Sequence, residues 1–141
     1  MPSPAELTYA DLAPDAEFRE RYAVTPEVYH GFLATFGDES PLHVSEAFAR
    51  EAGFTGVVMH GAILNGFVSH FVGMRCPGRR ALLLSVELRY HRPVYLGDPL
   101  ELTARVAQKV DAPQVVVLEL RFRAVGRDVE VATGRAQVKL R

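Results

Sequence analysis

From residue 81 onward, apolar residues alternate with polar ones. Leu82, Leu84, Val86, Leu88 and Tyr90 recur at every second position, and so do Leu100, Leu102, Ala104 and Val106. Successive side chains of a strand point to opposite faces, so this period of two predicts strands over 81–91 and 100–110. Residues 114–125 and 128–140 continue the set, with a turn at Gly126-Arg127-Asp128. Near the other end, Phe18, Glu20, Tyr22 and Val24 are separated by Arg19, Arg21 and Ala23, which predicts a short strand over 18–24.

Between the first strand and the last four, the pattern is helical. Thr25-Pro26-Glu27 reads as a helix start: Thr caps, Pro suits the first helical position, and the carboxylate suits the positive helix end. This helix turns Val28, Phe32 and Leu33 inward and stops near Gly37. Asp38 to His43 follows as a loop stiffened by Pro41. Ser45 and Glu46 open a second, short helix that runs through Ala52. Residues 61–74 form the most apolar helix, with Ala62, Ile63, Leu64, Phe67, Val68, Phe71, Val72 and Met74 spread nearly all round it. That distribution predicts burial on most sides. Its small residues Gly66, Ser69 and Gly73 would let another backbone approach closely. Strand, helices and four strands make an α+β domain, most economically a mainly antiparallel sheet curled around the long helix. Residues 1–16 read as an irregular lead-in, and 1–141 as a single domain.

Composition narrows the function more than the fold. The formal net charge is −1 and the 14 arginines are scattered rather than clustered, so neither nucleic acid nor a membrane surface is an expected partner. No segment resembles a signal peptide or a transmembrane span, which makes the cytoplasm the expected location. Cys76 is the single cysteine, so no intrachain disulfide forms, and its turn-like setting points to an inert thiol. No cysteine–histidine spacing suits zinc and no glycine-rich nucleotide motif is present, so neither metal nor bound cofactor is expected.

The chemically informative stretch is Gly37-Asp38-Glu39-Ser40-Pro41-Leu42-His43, followed by His60-Gly61 at the head of the apolar helix. Taken alone, an Asp and a His five positions apart suggest a turn cap and a surface histidine. Three features shift that balance. Pro41 restrains the loop, the loop precedes the most apolar part of the chain, and Gly61 opens the helix with bare N–H groups suited to an oxygen gaining negative charge.

These residues resemble the MaoC-like (R)-specific enoyl-CoA hydratases, whose motif reads Gly-Asp-x-Asn-Pro-x-His. The resemblance runs from about Tyr22 onward, through Phe54-x-Gly56-x-x-x-His60-Gly61 and through Arg92-Pro93-Val94-Tyr95-Leu96-Gly97-Asp98. It implies a hot-dog fold, an antiparallel sheet of about five strands wrapped around a long central helix. It also implies reversible addition of water to a trans-2-enoyl thioester carried by coenzyme A or an acyl carrier protein. In that chemistry His43 activates a water, Asp38 holds it and protonates the α-carbon, and the Gly61 N–H binds the thioester carbonyl. Ser40 stands where the motif has Asn, keeping a hydroxyl but losing the amide. The family's usual edge-to-edge pairing of sheets implies a homodimer or higher homo-oligomer.

Other polar residues carry weaker expectations. Asn65 and Ser69 lie on one helix face after Gly61 and either line an acyl pocket, with Ser40, or bond to backbone in the core. His60 reads as a structural cap, Asp98 as a turn residue, and His30, His70 and His91 as ordinary histidines. Phe67, Phe71 and Met74 either shorten an acyl tunnel, favouring short or medium chains, or fill the core. Two further readings remain. A hot-dog thioesterase would place Asp, Glu or Gln on or near the glycine-opened helix, yet residues 61–74 contain none and no carboxylate lies between Glu51 and Glu87. A non-catalytic acyl-binding relative would leave Asp38 and His43 idle.

Overall fold

A computed structural model describes all residues, Met1–Arg141. Strand β1 (Glu17–Ala23) is followed by helices α1 (Pro26–Phe36), α2 (Pro41–Val44), α3 (Glu46–Glu51) and α4 (Ala62–His70). A π-helical turn (Phe71–Arg75) prolongs α4, and strands β2 (Ala81–Tyr90), β3 (Pro99–Val110), β4 (Val115–Ala124) and β5 (Val129–Leu140) complete the chain. The sheet is antiparallel with the order β1-β3-β4-β5-β2. This is the hot-dog arrangement that the sequence implies.

β1 and β2 are consecutive strands at opposite edges, so the helical segment joining them must cross the sheet. α4 and its π-helical extension both pack against β2.

The buried face follows the period of two. Leu100, Leu102, Ala104 and Val106 of β3 are almost fully buried, as are Val116, Leu118, Leu120, Phe122 and Ala124 of β4. Ile63, Leu64, Val68, Phe71 and Val72 of the central helix join them in one core cluster. Burying a large aliphatic or aromatic side chain contributes about 1.5–3 kcal/mol, so this contact dominates the fold's stability.

Several sequence expectations are corrected. The helix expected over 61–74 is not covered nearly all round: Ala62, Gly66, Ser69 and Gly73 form an exposed stripe. The regular α-helix ends at His70, and the π-turn shifts the phase of the residues beyond it. In β2 the alternation breaks at a bulge between Leu83 and Ser85, so Leu82 and Leu84 are exposed and Leu83 turns partly inward. Asp38 to His43 is not all loop, because Pro41 opens the short helix α2, which carries His43. The lead-in is irregular but packed: Leu12 and Tyr9 are buried, and the Tyr9 hydroxyl donates to Asp111 at 2.8 Å.

The caps of α1 match the sequence. Thr25 accepts from the Val28 N–H, and Gly37 ends the helix at φ 69°, where glycine carries no steric penalty. Burial pushes the Cys76 thiol up to about 12, consistent with an inert side chain. No helix is long and apolar enough to cross a membrane.

Gly134 marks the tightest strand contact, since a Cβ there would lie 1.7 Å from the Glu87 carbonyl oxygen of β2. Gly134→Ala should force β5 and β2 apart and lower stability by about 3 kcal/mol or more, read from the urea midpoint with an unchanged slope. Wild-type stability in this variant would contradict the strand pairing.

Candidate active site

Three segments meet at the amino end of α4. The first is the link from Gly37 to Ser40, held by an Asx turn in which the Ser40 N–H donates to Asp38 Oδ1 at 3.2 Å. The second is α2, which presents His43. The third is the segment Val57–Gly61, tied to both sides: the Val58 N–H donates to the Leu42 carbonyl at 3.1 Å and the Met59 N–H to the Val94 carbonyl at 2.8 Å. The Arg92–Asp98 segment thus braces the site. Asp98 acts within it as a turn residue, accepting from the Tyr95 N–H at 2.9 Å and from Arg127 at 2.8 Å.

An Asp38 carboxylate oxygen and one ring nitrogen each of His43 and His60 lie within 4.8 Å of one another. His43 Nδ1 lies 2.6 Å from the Val58 carbonyl oxygen. A carbonyl only accepts, so Nδ1 carries the proton and Nε2 is left with a lone pair. The Tyr29 hydroxyl donates to the His43 carbonyl at 2.5 Å, which holds the residue from its backbone side. Two positions that each hydrogen-bond one water stand at most about 5.5 Å apart, so Asp38 and His43 are placed to share one.

His60 is not the side-chain cap that the sequence suggests. Gly61 occupies the N-cap position of α4, and the His60 side chain is buried beneath the site. Its ring stacks on His43 with centroids 4.0 Å apart and an interplanar angle of 29°. Its Nε2 lies 2.8 Å from the Asp38 carbonyl oxygen, while its Nδ1 is buried without a partner.

Gly61 leads into α4 and its N–H has no backbone acceptor. A Cβ on Gly61 would come within 3.0 Å of three carbons of the Tyr90 ring, so any larger residue there would press on that ring. Tyr90 is a site residue that the sequence reading missed. Its place in the alternation of β2 was legible, but Tyr90 is half exposed and its contact with Gly61 depends on how α4 is laid beside β2. The Tyr90 hydroxyl donates to Asn65 Oδ1, and desolvation raises its pKa.

Two cavities open beside the amino end of α4. One, of about 300 Å³, is lined by His43, Phe54, His60, Gly61, Tyr90 and Arg92 among others. The other, of about 780 Å³, runs between α1 and α4, with Asp38, Phe32, Phe36, Ile63, Gly66 and Phe67 in its walls. Asp38 therefore lies in the wall of the larger cavity and His43 in the wall of the smaller one. Ser40, Asn65 and Ser69 line neither: Ser69 is exposed on the small-residue stripe, and Asn65 bonds Tyr90. Of the three bulky residues on the central helix, only Phe67 meets a cavity, stacked on Tyr22 at 4.6 Å. His70 is hydrogen-bonded to the Tyr22 hydroxyl at 2.8 Å, whereas His91, hydrogen-bonded to Thr133 at 2.6 Å, lines the smaller cavity.

Residues 11–126 match the model of the MaoC-like domain family. An (R)-specific enoyl-CoA hydratase from Aeromonas caviae is 36% identical over 112 residues, which cover 77% of this chain and 81% of the relative. A 3-hydroxybutyryl-CoA dehydratase from Methylorubrum extorquens is 34% identical over 110 residues, covering 78% of this chain and 69% of the relative. The structure of an R-hydratase from Pseudomonas aeruginosa superposes with a TM-score of 0.86 at 25% identity, over 96% of this chain and 86% of that one. With its fold and most of its length matched in this way, the chain belongs to the MaoC-like domain family.

Proposed function

We propose that this protein is a hydro-lyase that reversibly adds water to a trans-2-enoyl thioester to give the (R)-3-hydroxyacyl thioester, with Asp38 and His43 acting on one shared water. The observation that carries this reading is the approach of Asp38 and His43 to within 4.8 Å at the head of a glycine-opened helix. His43 Nε2 takes a proton from the water as its oxygen bonds to the β-carbon. The Asp38 carboxyl group delivers a proton to the α-carbon, and the proton on His43 then restores it. The Gly61 N–H receives the thioester oxygen as it gains charge, where a fixed donor lowers the barrier most. The reaction requires no metal and no cofactor beyond the carrier of the substrate. No carboxylate lies on α4 to serve a thioesterase, which leaves water addition as the better-supported chemistry.

The substrate divides between the cavities, with the reacting carbons between Asp38 and His43. Phe67 and Phe36 narrow the α1–α4 side, which favours short or medium acyl chains. That cavity is open, Asp38 is exposed, and the stripe Ala62, Gly66, Ser69 and Gly73 lies beside it. β2 is an edge strand with Leu82 and Leu84 exposed. A second copy pairing along β2 would cover both features, because unpaired edges invite strand addition. The chain is accordingly a cytoplasmic homodimer in this reading.

Mixed with crotonyl-CoA, the protein should remove the ultraviolet absorbance of the conjugated thioester without releasing free thiol. Release of thiol would identify a thioesterase, and no change an idle relative. Asp38→Asn and His43→Gln should each keep the fold and lower turnover about 10²–10⁴-fold, with the double variant little worse than either. Near-normal turnover in folded Asp38→Asn would sink the mechanism. Sedimentation at micromolar concentration should report a dimer, and a monomer would contradict the proposed assembly.

A further inference from the structure

We infer that His60 is the positioning residue of this site: one neutral, buried imidazole fixes the Asp38 backbone with its edge and the His43 ring with its face. The inference rests on the hydratase reading and extends it to a residue that the acid–base chemistry does not itself require.

Asp38 lies in the non-helical link between α1 and α2, where its side chain is exposed. Apart from the local Asx turn, the anchor that reaches this residue from elsewhere in the chain is the His60 Nε2 bond to its carbonyl, 22 residues away. The acceptor is a carbonyl, so Nε2 carries the proton and Nδ1 has only a lone pair. Nδ1 is buried with no partner, and Phe32 packs over the ring at 4.5 Å. A proton on Nδ1 would have no acceptor, so the geometry assigns the Nε2–H tautomer.

The same ring presents its face to His43 at 4.0 Å. His43 is thus confined on three sides: by the stack, by the Val58 carbonyl at Nδ1 and by Tyr29 at its own carbonyl. When His43 takes a proton from water, it becomes a cation lying over a neutral π-face, a favourable pairing. His60 directly precedes Gly61, so the base, the carboxyl group and the carbonyl-binding N–H are all referenced to one peptide unit. Displacements near 1 Å at a reacting centre cost about 10²-fold in rate, which gives such an anchor kinetic weight.

The test uses crotonyl-CoA turnover by the intact chain. His60→Phe keeps a ring against His43 and removes the donor to Asp38. His60→Gln keeps an N–H near the Nε2 position and removes the ring, and His60→Ala removes both. His60→Phe should lower kcat by about 10²-fold with KM little changed. His60→Gln should recover part of the loss suffered by His60→Ala. In an Asp38→Asn background, His60→Phe should cost little more, because groups acting through one another are not additive. Wild-type kcat in His60→Phe, or an undiminished further loss in the Asp38→Asn background, would overturn the inference. Should the variants not fold, the tautomer of the wild type decides. Long-range proton–nitrogen correlation should show His60 protonated at Nε2 alone, and a proton on Nδ1 would overturn the inference. Normal turnover in Asp38→Asn would instead overturn the role of Asp38 in the proposed mechanism, leaving the tautomer result to stand on its own.

Discussion

One packing contact governs the rest of the molecule: the apolar side of α4 against the inner face of the sheet. Ile63, Leu64, Val68, Phe71 and Val72 are buried together in one core cluster with the inner residues of β3 and β4. With the helix laid there, its amino end meets β2, and a Cβ on Gly61 would lie only 3.0 Å from the Tyr90 ring. The position of the Gly61 N–H, which the proposed reaction uses, is thereby set by hydrophobic burial, which is worth far more than any polar contact in the site.

The polar contacts then convert this rigid point into chemistry. Backbone carbonyls choose the tautomers of both histidines: Val58 takes the Nδ1 proton of His43, and Asp38 takes the Nε2 proton of His60. The lone pair left on His43 is the one a general base needs. Asp38 reaches the site from the α1–α4 side and His43 from the β2 side, so the reacting carbons belong where the two cavities meet. The stripe on α4 and the β2 residues Leu82 and Leu84 are exposed in the single chain.

Much of this was legible in the sequence, for identifiable reasons. The period of two in β3 survived because its inner residues meet a flat, continuous core. In β2 it failed at Leu84, because a bulge depends on a neighbouring strand and leaves no local signature. The caps at Thr25 and Gly37 were readable because capping is a local interaction. Asp38, His43 and Gly61 stood out through a motif with a chemical reason for each residue. His60 and Tyr90 did not, because their roles come from contacts across 22 and 29 residues of chain, fixed only when α4 is laid on the sheet. The exposed side of α4 was misjudged as buried for a related reason: a count of apolar residues cannot show which side the sheet will cover.

The central claim is that this site adds water to an enoyl thioester with one defined stereochemistry. Turnover of crotonyl-CoA in deuterium oxide, followed by chiral analysis of the product, tests it most directly. The account predicts (R)-3-hydroxybutyryl-CoA carrying a single deuterium at the α-carbon, because Asp38 and His43 act on one fixed face of the double bond. An (S) or racemic product, or free coenzyme A with crotonate, would contradict it.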